Sequence, residues 1–197
     1  KMPYEVFIPA YRDEILSDTV MVYGNVDEVE LVLNGKTIRR QTADKGPDSD
    51  YIPVPNGGNG KNLHFPPFTF YGVPKERGVL KAVGYHQGKK VAEYTVKTPG
   101  VPERLDITYF ESGKPATKND LLIVYVRMLD KQGVLCPVNG IPVELSVQGG
   151  EIVGPTSYPL EAGVASFLVR TGEISKININ ATGKGFSTRK SLKVGKE

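Results

Sequence analysis

Val29-Glu30-Leu31-Val32-Leu33-Asn34-Gly35-Lys36-Thr37-Ile38-Arg39 is the stretch that decides the fold. Val29, Leu31 and Leu33 alternate with other residues, so a strand here turns all three to one face. Asn34-Gly35 follows at once, and the chain returns from Lys36 to Arg39. A two-residue Asn-Gly link predicts a tight hairpin in which both turn residues take φ > 0.

The same grammar extends in both directions. Tyr4 to Ile8 reads as a strand closed by Pro9, and Thr19 to Tyr23 as a second that ends at Gly24-Asn25. Residues 43–62 have loop composition, and Tyr51 to Val54 is at most an edge strand because Pro53 and Pro55 demote it. Phe65-Pro66-Pro67-Phe68-Thr69-Phe70 is an aromatic-proline corner. Gly78 to Tyr85, a Gln87-Gly88 turn, and Lys90 to Val96 predict a closing hairpin. Leu31 and Val83 are both expected on core strands.

Thr98-Pro99-Gly100-Val101-Pro102 is short and stiff, as a link between two packed modules should be. Beyond it Leu105 and Ile107 alternate toward a second core, and Leu121 to Met128 is a long buried strand. Asp130-Lys131-Gln132-Gly133 is a turn. Pro142 to Val147, Glu151 to Gly154, Gly163 to Val169, Ile174 to Ala181 and Ser187 to Val194 follow as strands, with Pro155 to Glu161 as a loop. About seven strands at such spacing suit a Greek-key sandwich. The expected architecture is therefore all-β: two tandem immunoglobulin-like (Greek-key) β-sandwich domains, 1–98 and 103–197, joined by a linker at 99–102.

Composition narrows the function. Hydrophobic residues at 39% and charged ones at 24% support packed cores and argue against disorder. No apolar run approaches the roughly 20 residues of a membrane span, so no membrane insertion is expected. The net charge is only +3, and the basic pairs Arg39-Arg40, Lys89-Lys90 and Arg189-Lys190 are scattered. A nucleic-acid binder concentrates such charge on one face, so none is expected as a partner. With one Cys and no Trp, a disulfide-and-tryptophan antibody core is excluded. Lys1-Met2-Pro3-Tyr4 does not open a signal peptide, because no apolar segment follows the charge.

Val22-Tyr23, Asp27 to Lys36, Phe65 to Phe70, Gly78 to Tyr85 and Gly88 to Ala92 resemble, in order and spacing, the C-terminal region of bacterial family 2 glycoside hydrolases, the β-galactosidase-like enzymes. The second module resembles the bacterial Ig-like domain that often follows in those enzymes. The matching parts are Val124 to Val126, Asp130 to Gly133, Ile141 to Val147, Gly150 to Gly154 and Gly163 to Ala165. Phe70 stands where these relatives commonly carry Trp, which keeps an aromatic plug and loses the indole N–H. The resemblance implies a non-catalytic accessory region, packed on the catalytic barrel of a periplasmic or secreted parent that hydrolyses β-glycosides. A TIM barrel needs at least about 200 residues of its own, so neither catalytic carboxylate is expected in this chain, and no cofactor is implied.

Other chemistry finds little support. His64 and His86 have no Ser or Cys partner in view, and His86 reads as an exposed turn residue. Cys136 is expected to be a buried, inert thiol. Asp44, Asp48 and Asp50 share a loop but lack the EF-hand pattern, so no metal site is expected. Gly57-Gly58-Asn59-Gly60-Lys61 fails as a phosphate loop, since Pro55 and Asn62 occupy required positions. Asn180-Ala181-Thr182 is a formal glycosylation sequon inside a strand, which makes Asn180 a structural polar residue. Sugar binding is the one site expectation. Tyr11, Tyr51 and Tyr71 lie in or beside loops with Asn56, Asn59 and Asn62 near in sequence, and rings with amides suit an oligosaccharide. Two rivals to the enzyme-tail reading are an autonomous carbohydrate-binding module and a structural stalk or adhesin.

Overall fold

The computed structural model describes residues 2–9, 18–44, 65–110 and 115–195. Among these there is no helix; fifteen strands form four sheets. The chain divides into two compact units, Lys1–Thr98 and Pro99–Glu197. The fold is all-β, with each unit a sandwich of two sheets around its own core.

In the first unit β1 (Val6–Phe7), β2 (Val20–Gly24) and β5 (Phe68–Phe70) form a sheet in the order β1-β2-β5. β3 (Glu28–Leu33), β4 (Lys36–Thr42), β6 (Val79–His86) and β7 (Lys89–Lys97) form the other, in the order β4-β3-β6-β7. The chain leaves the small sheet after β2, returns for β5 and leaves again, which is Greek-key connectivity. Val29, Leu31 and Leu33 are buried on one face, packed with Val22, Phe68, Phe70 and Leu80. Phe70 is thus a core plug. Asn34 and Gly35 have φ of 50° and 80°, the mirror-image turn that matches strand twist.

Two details depart from the sequence reading. The strand expected over Tyr4 to Ile8 pairs only at Val6–Phe7. Val83 is buried but lies outside the core cluster that holds Leu80 and Ala82. Its cross-strand neighbours are Glu30 and Glu93, so it occupies the outer face of the large sheet. The buried run from Ala82 to Gly84 hides the alternation that would have assigned it.

In the second unit β8 (Pro102–Tyr109), β9 (Leu121–Asp130), β11 (Gly150–Ile152) and β13 (Val164–Thr171) form one sheet, ordered β11-β13-β9-β8. β10 (Pro142–Gln148), β12 (Ser157–Pro159), β14 (Lys176–Gly183) and β15 (Phe186–Lys193) form the other, ordered β12-β10-β14-β15. Leu105, Ile107, Val124, Met128, Phe167, Ile177 and Ile179 fill the space between them.

The loop expected over Pro155 to Glu161 contains β12. Its Ser157-Tyr158-Pro159 has no strand signal of its own and is held by register with Pro142, Val143 and Glu144. The linker expected at 99–102 is tied into the second unit. The Gly100 N–H donates to Asp130 Oδ2 at 2.7 Å, and strand pairing begins at Pro102. Asp130 is buried, and its Oδ1 also accepts the Gln132 and Val134 N–H groups at 2.8 Å each. Burial alone would raise its pKa, but these backbone donors outweigh it and hold the carboxyl below the usual range.

Candidate functional site

An exposed aromatic surface of the first unit starts at β1. Val6 and Ile8 enter the core, so alternation turns Phe7 outward. Val20 and Val22 do the same to Met21 and Tyr23 on β2. Phe7 is directly opposite Tyr23 in the antiparallel register, and such pairs share a face. Both rings are open to water, at 48% and 42%, with Met21 next to them at 39%. On its other side Phe7 meets Tyr94 of β7 edge-on, ring centroids 4.9 Å apart. Tyr94, Phe7 and Tyr23 therefore make a row of three rings running across strands.

Beside the row is a cleft of about 460 Å³, lined by Tyr4, Glu5, Phe7, Glu93 and Tyr94 among others. It lies at the seam where β1 and β7, each at the edge of its sheet, face one another. Local contacts hold its walls. The Asn25 amide donates to Pro3 O at 2.8 Å and accepts the Glu5 N–H at 2.7 Å, which fixes the approach to β1. Tyr4 stacks on His86 at 4.6 Å. His86 Nδ1 is 3.0 Å from Asp27 Oδ1, and Asp27 Oδ2 accepts the Gln87 N–H at 2.8 Å. That backbone hydrogen bond, followed by the one to His86, keeps the Asp27 carboxyl below its ordinary pKa. His86 is therefore half-buried and engaged, where the sequence reading had an exposed turn residue. Gly84 completes the seam: a Cβ there would stand 2.8 Å from Val6 Cγ1 and 3.0 Å from Val26 Cγ1.

This surface can stack on a flat apolar ring face and can accept hydrogen bonds. It is poorly suited to proton donation. A glycosidic general acid needs a carboxyl kept protonated near neutrality. Glu93 is pushed the other way, chiefly by a 2.6 Å hydrogen bond from Lys90 Nζ and then by the charge of Lys81.

Elsewhere the polar groups satisfy one another. On the outer face of the large sheet Glu30 accepts the Thr37 and Tyr85 hydroxyls, each at 2.6 Å. Arg40 pairs with Glu28 and covers the Tyr85 ring at 3.7 Å. A second cleft, of about 440 Å³, is lined by Asn119, Glu151 and Arg170, and there Arg170 and Glu151 are engaged with each other. The Asp44 carboxylate is spent on the Thr69 N–H and hydroxyl. Among the described residues no three His, Cys, Asp or Glu side chains converge as a metal site. Burial, and then the charge of Asp130, push the Cys136 thiol up, away from the reactive thiolate. Asn180, in β14, donates to Ser146 Oγ at 3.5 Å.

Of the residues expected to bind sugar, Tyr11, Tyr51, Asn56, Asn59 and Asn62 lie outside the described residues. Tyr71 directly follows β5, half-buried. Phe7, Tyr23 and Tyr94 were not singled out from sequence. The period of two in Val20-Met21-Val22-Tyr23 already turns Tyr23 outward, but nothing in either segment says that β1 pairs with β2.

The fold defines a tandem β-sandwich protein. A family described only as a domain of unknown function (DUF4982) matches residues 17–92. A β-galactosidase of Rhizobium radiobacter is 30% identical over 129 residues, 64% of this chain and 92% of that one. A β-galactosidase of Thermoanaerobacter pseudethanolicus is 30% identical over 176 residues, which is 83% of this chain and 22% of that enzyme. The crystal structure of a β-glycosidase from Bacteroides vulgatus superposes with a TM-score of 0.76 at 16% identity, covering 98% of this chain and 25% of that one. The chain belongs to the β-galactosidase-like family 2 glycoside hydrolases, and it spans about a fifth of the Thermoanaerobacter relative.

Proposed function

We propose that this chain is the non-catalytic C-terminal region of a family 2 glycoside hydrolase that cleaves β-galactosides or related β-glycosides. The reaction belongs to an upstream TIM barrel of the parent polypeptide, and the two modules pack against and position that barrel. The observation that carries this reading is one of proportion: 83% of the chain matches only 22% of a whole β-galactosidase.

A surface of the second unit supports the packing role. On the outer face of the sheet β11-β13-β9-β8, Leu168 stands opposite Ile123 in register. Backbone hydrogen bonds join Val153 to Leu168 and Phe110 to Ile123. Val153, Leu168, Ile123 and Phe110 thus form an apolar row across the sheet, with Phe110 at 59% and Ile123 at 43% exposure. Such a row on a water-facing sheet supports an interface role, and its occupant in this reading is the remainder of the parent.

The test is the natural reading frame upstream of Lys1 together with a variant of the full polypeptide. A TIM-barrel pattern should precede the chain. Ile123→Asp should lower the thermal stability of the whole enzyme more than that of the isolated chain. An upstream sequence without such a barrel would overturn the reading.

A further inference from the structure

We infer that the row Tyr94–Phe7–Tyr23, with the adjoining seam cleft, is a binding platform for a neutral, β-linked oligosaccharide chain. The inference goes beyond the packing role and rests on the parent-enzyme reading only for the expectation that the ligand is a β-glycan.

The geometry points to a sugar in three ways. Phe7 and Tyr23 lie side by side on adjacent strands with their rings in water, and Tyr94 continues the line 4.9 Å from Phe7. Met21 flanks the rings and Tyr94 stands edge-on to Phe7, so the flat stacking surface is the Phe7–Tyr23 pair. An equatorially linked sugar chain is a flat ribbon whose C–H faces can lie along such a strip, as apolar faces lie on aromatic rings elsewhere. A protein partner generally requires a broader apolar patch.

The strip is bordered by acceptors. Glu5 and Glu93 line the cleft beside Phe7 and Tyr94, and a carboxylate takes hydrogen bonds from sugar hydroxyls. Glu93 is paired with Lys90 and Lys81, so the acidic charge left at the cleft wall is that of Glu5, which disfavours an anionic chain and leaves a neutral one.

The site is also built before the ligand arrives. Asn25 fixes the approach to β1, Asp27 orders His86 under Tyr4, and Gly84 admits Val6 against the large sheet. A rigid platform loses little freedom on binding. The outer row of the second unit differs: three of its four members are aliphatic.

The experiment is calorimetric titration of the full 197-residue chain with cello-oligosaccharides and with β-1,4-manno-oligosaccharides, both linked through equatorial oxygens. β-1,4-Polyglucuronate, which keeps the equatorial linkage and adds a carboxylate to each ring, serves as the anionic comparison. At least one neutral chain should bind saturably, and the polyanion should not. Phe7→Ala and Tyr23→Ala should each weaken binding roughly ten-fold or more, the scale of one lost stacking contact. Tyr23→Phe should retain most of it, because the ring carries the contact, and Phe110→Ala in the second unit should change nothing. Melting temperatures accompany each variant. If Phe7→Ala loosens β1, the Tyr23→Ala and Tyr23→Phe pair carries the comparison.

Three outcomes would overturn the inference. One is silence with both neutral probes at millimolar concentration. Another is unchanged affinity in both alanine variants. The third is protection of Phe7 and Tyr23 from hydroxyl-radical labelling in the sugar-free parent enzyme, which would make the row a protein interface. None of these touches the upstream-barrel test, so the two readings fail separately.

Discussion

At Asn34 the backbone and the side chain serve different partners. The backbone takes φ of 50° in the turn, while Nδ2 donates to Arg77 O at 3.1 Å and Oδ1 accepts the Val79 N–H at 2.9 Å. Asn34→Gly keeps the turn and loses both bonds, so it should cost about 1 kcal/mol, read by denaturant unfolding. Gly35→Val attacks the turn itself. A β-branched residue at φ 80° should cost about 1–3 kcal/mol, and wild-type stability would refute the turn assignment.

Asp130 makes a pH-dependent contribution. Its pKa is lowered from 3.8 in the folded chain, so its stabilisation is complete above the unfolded value and is lost as pH falls through the folded one. Asp130→Asn should lower the melting temperature at neutral pH. The gap from wild type should close under acid, below the folded-state pKa. A gap that stays constant with pH would show that the charge has no part in it. Residue-level chemistry of this kind was only half legible. Asn34-Gly35 announces its turn in the sequence. Asp130 reads as an ordinary turn residue, because its tie to Gly100 spans thirty positions of chain and depends on tertiary packing.

Among elements, β3 and β6 separate what alternation can and cannot tell. The β3 pattern is unambiguous, and Leu31→Ala should cost about 2–5 kcal/mol by leaving a cavity in the first core. Val83→Ala, on the outer face, should cost less than half as much. Equal costs would mean that Val83 belongs to the core after all. Gly84→Ala tests the seam. The added methyl meets Val6 and Val26, and overpacking should cost about 1–3 kcal/mol. It should also displace β1 and weaken glycan binding along with stability. The strands that sequence missed or overextended are those held by partners: β12 by β10, and the two-residue β1 by β2. The aromatic row depends on that last pairing. This is why sequence pointed to loop tyrosines and passed over Phe7 and Tyr23.

For the whole molecule, two sandwiches with separate cores carry two different exposed rows, one aromatic beside a cleft and one largely aliphatic. The first is the row proposed to take a glycan and the second the row proposed to take a protein surface. Both fit an accessory region that serves chemistry performed elsewhere in a longer polypeptide. The sequence made the family legible through segments spread along both modules. It could not identify the surfaces, because those arise only when strands distant in sequence are laid side by side.

The most direct test is turnover of 4-nitrophenyl β-galactoside and β-glucuronide by the purified chain, measured alongside the full parent polypeptide. The parent should hydrolyse at least one of them and the isolated chain neither. Hydrolysis by the chain alone, surviving repurification, would contradict its assignment as a non-catalytic region.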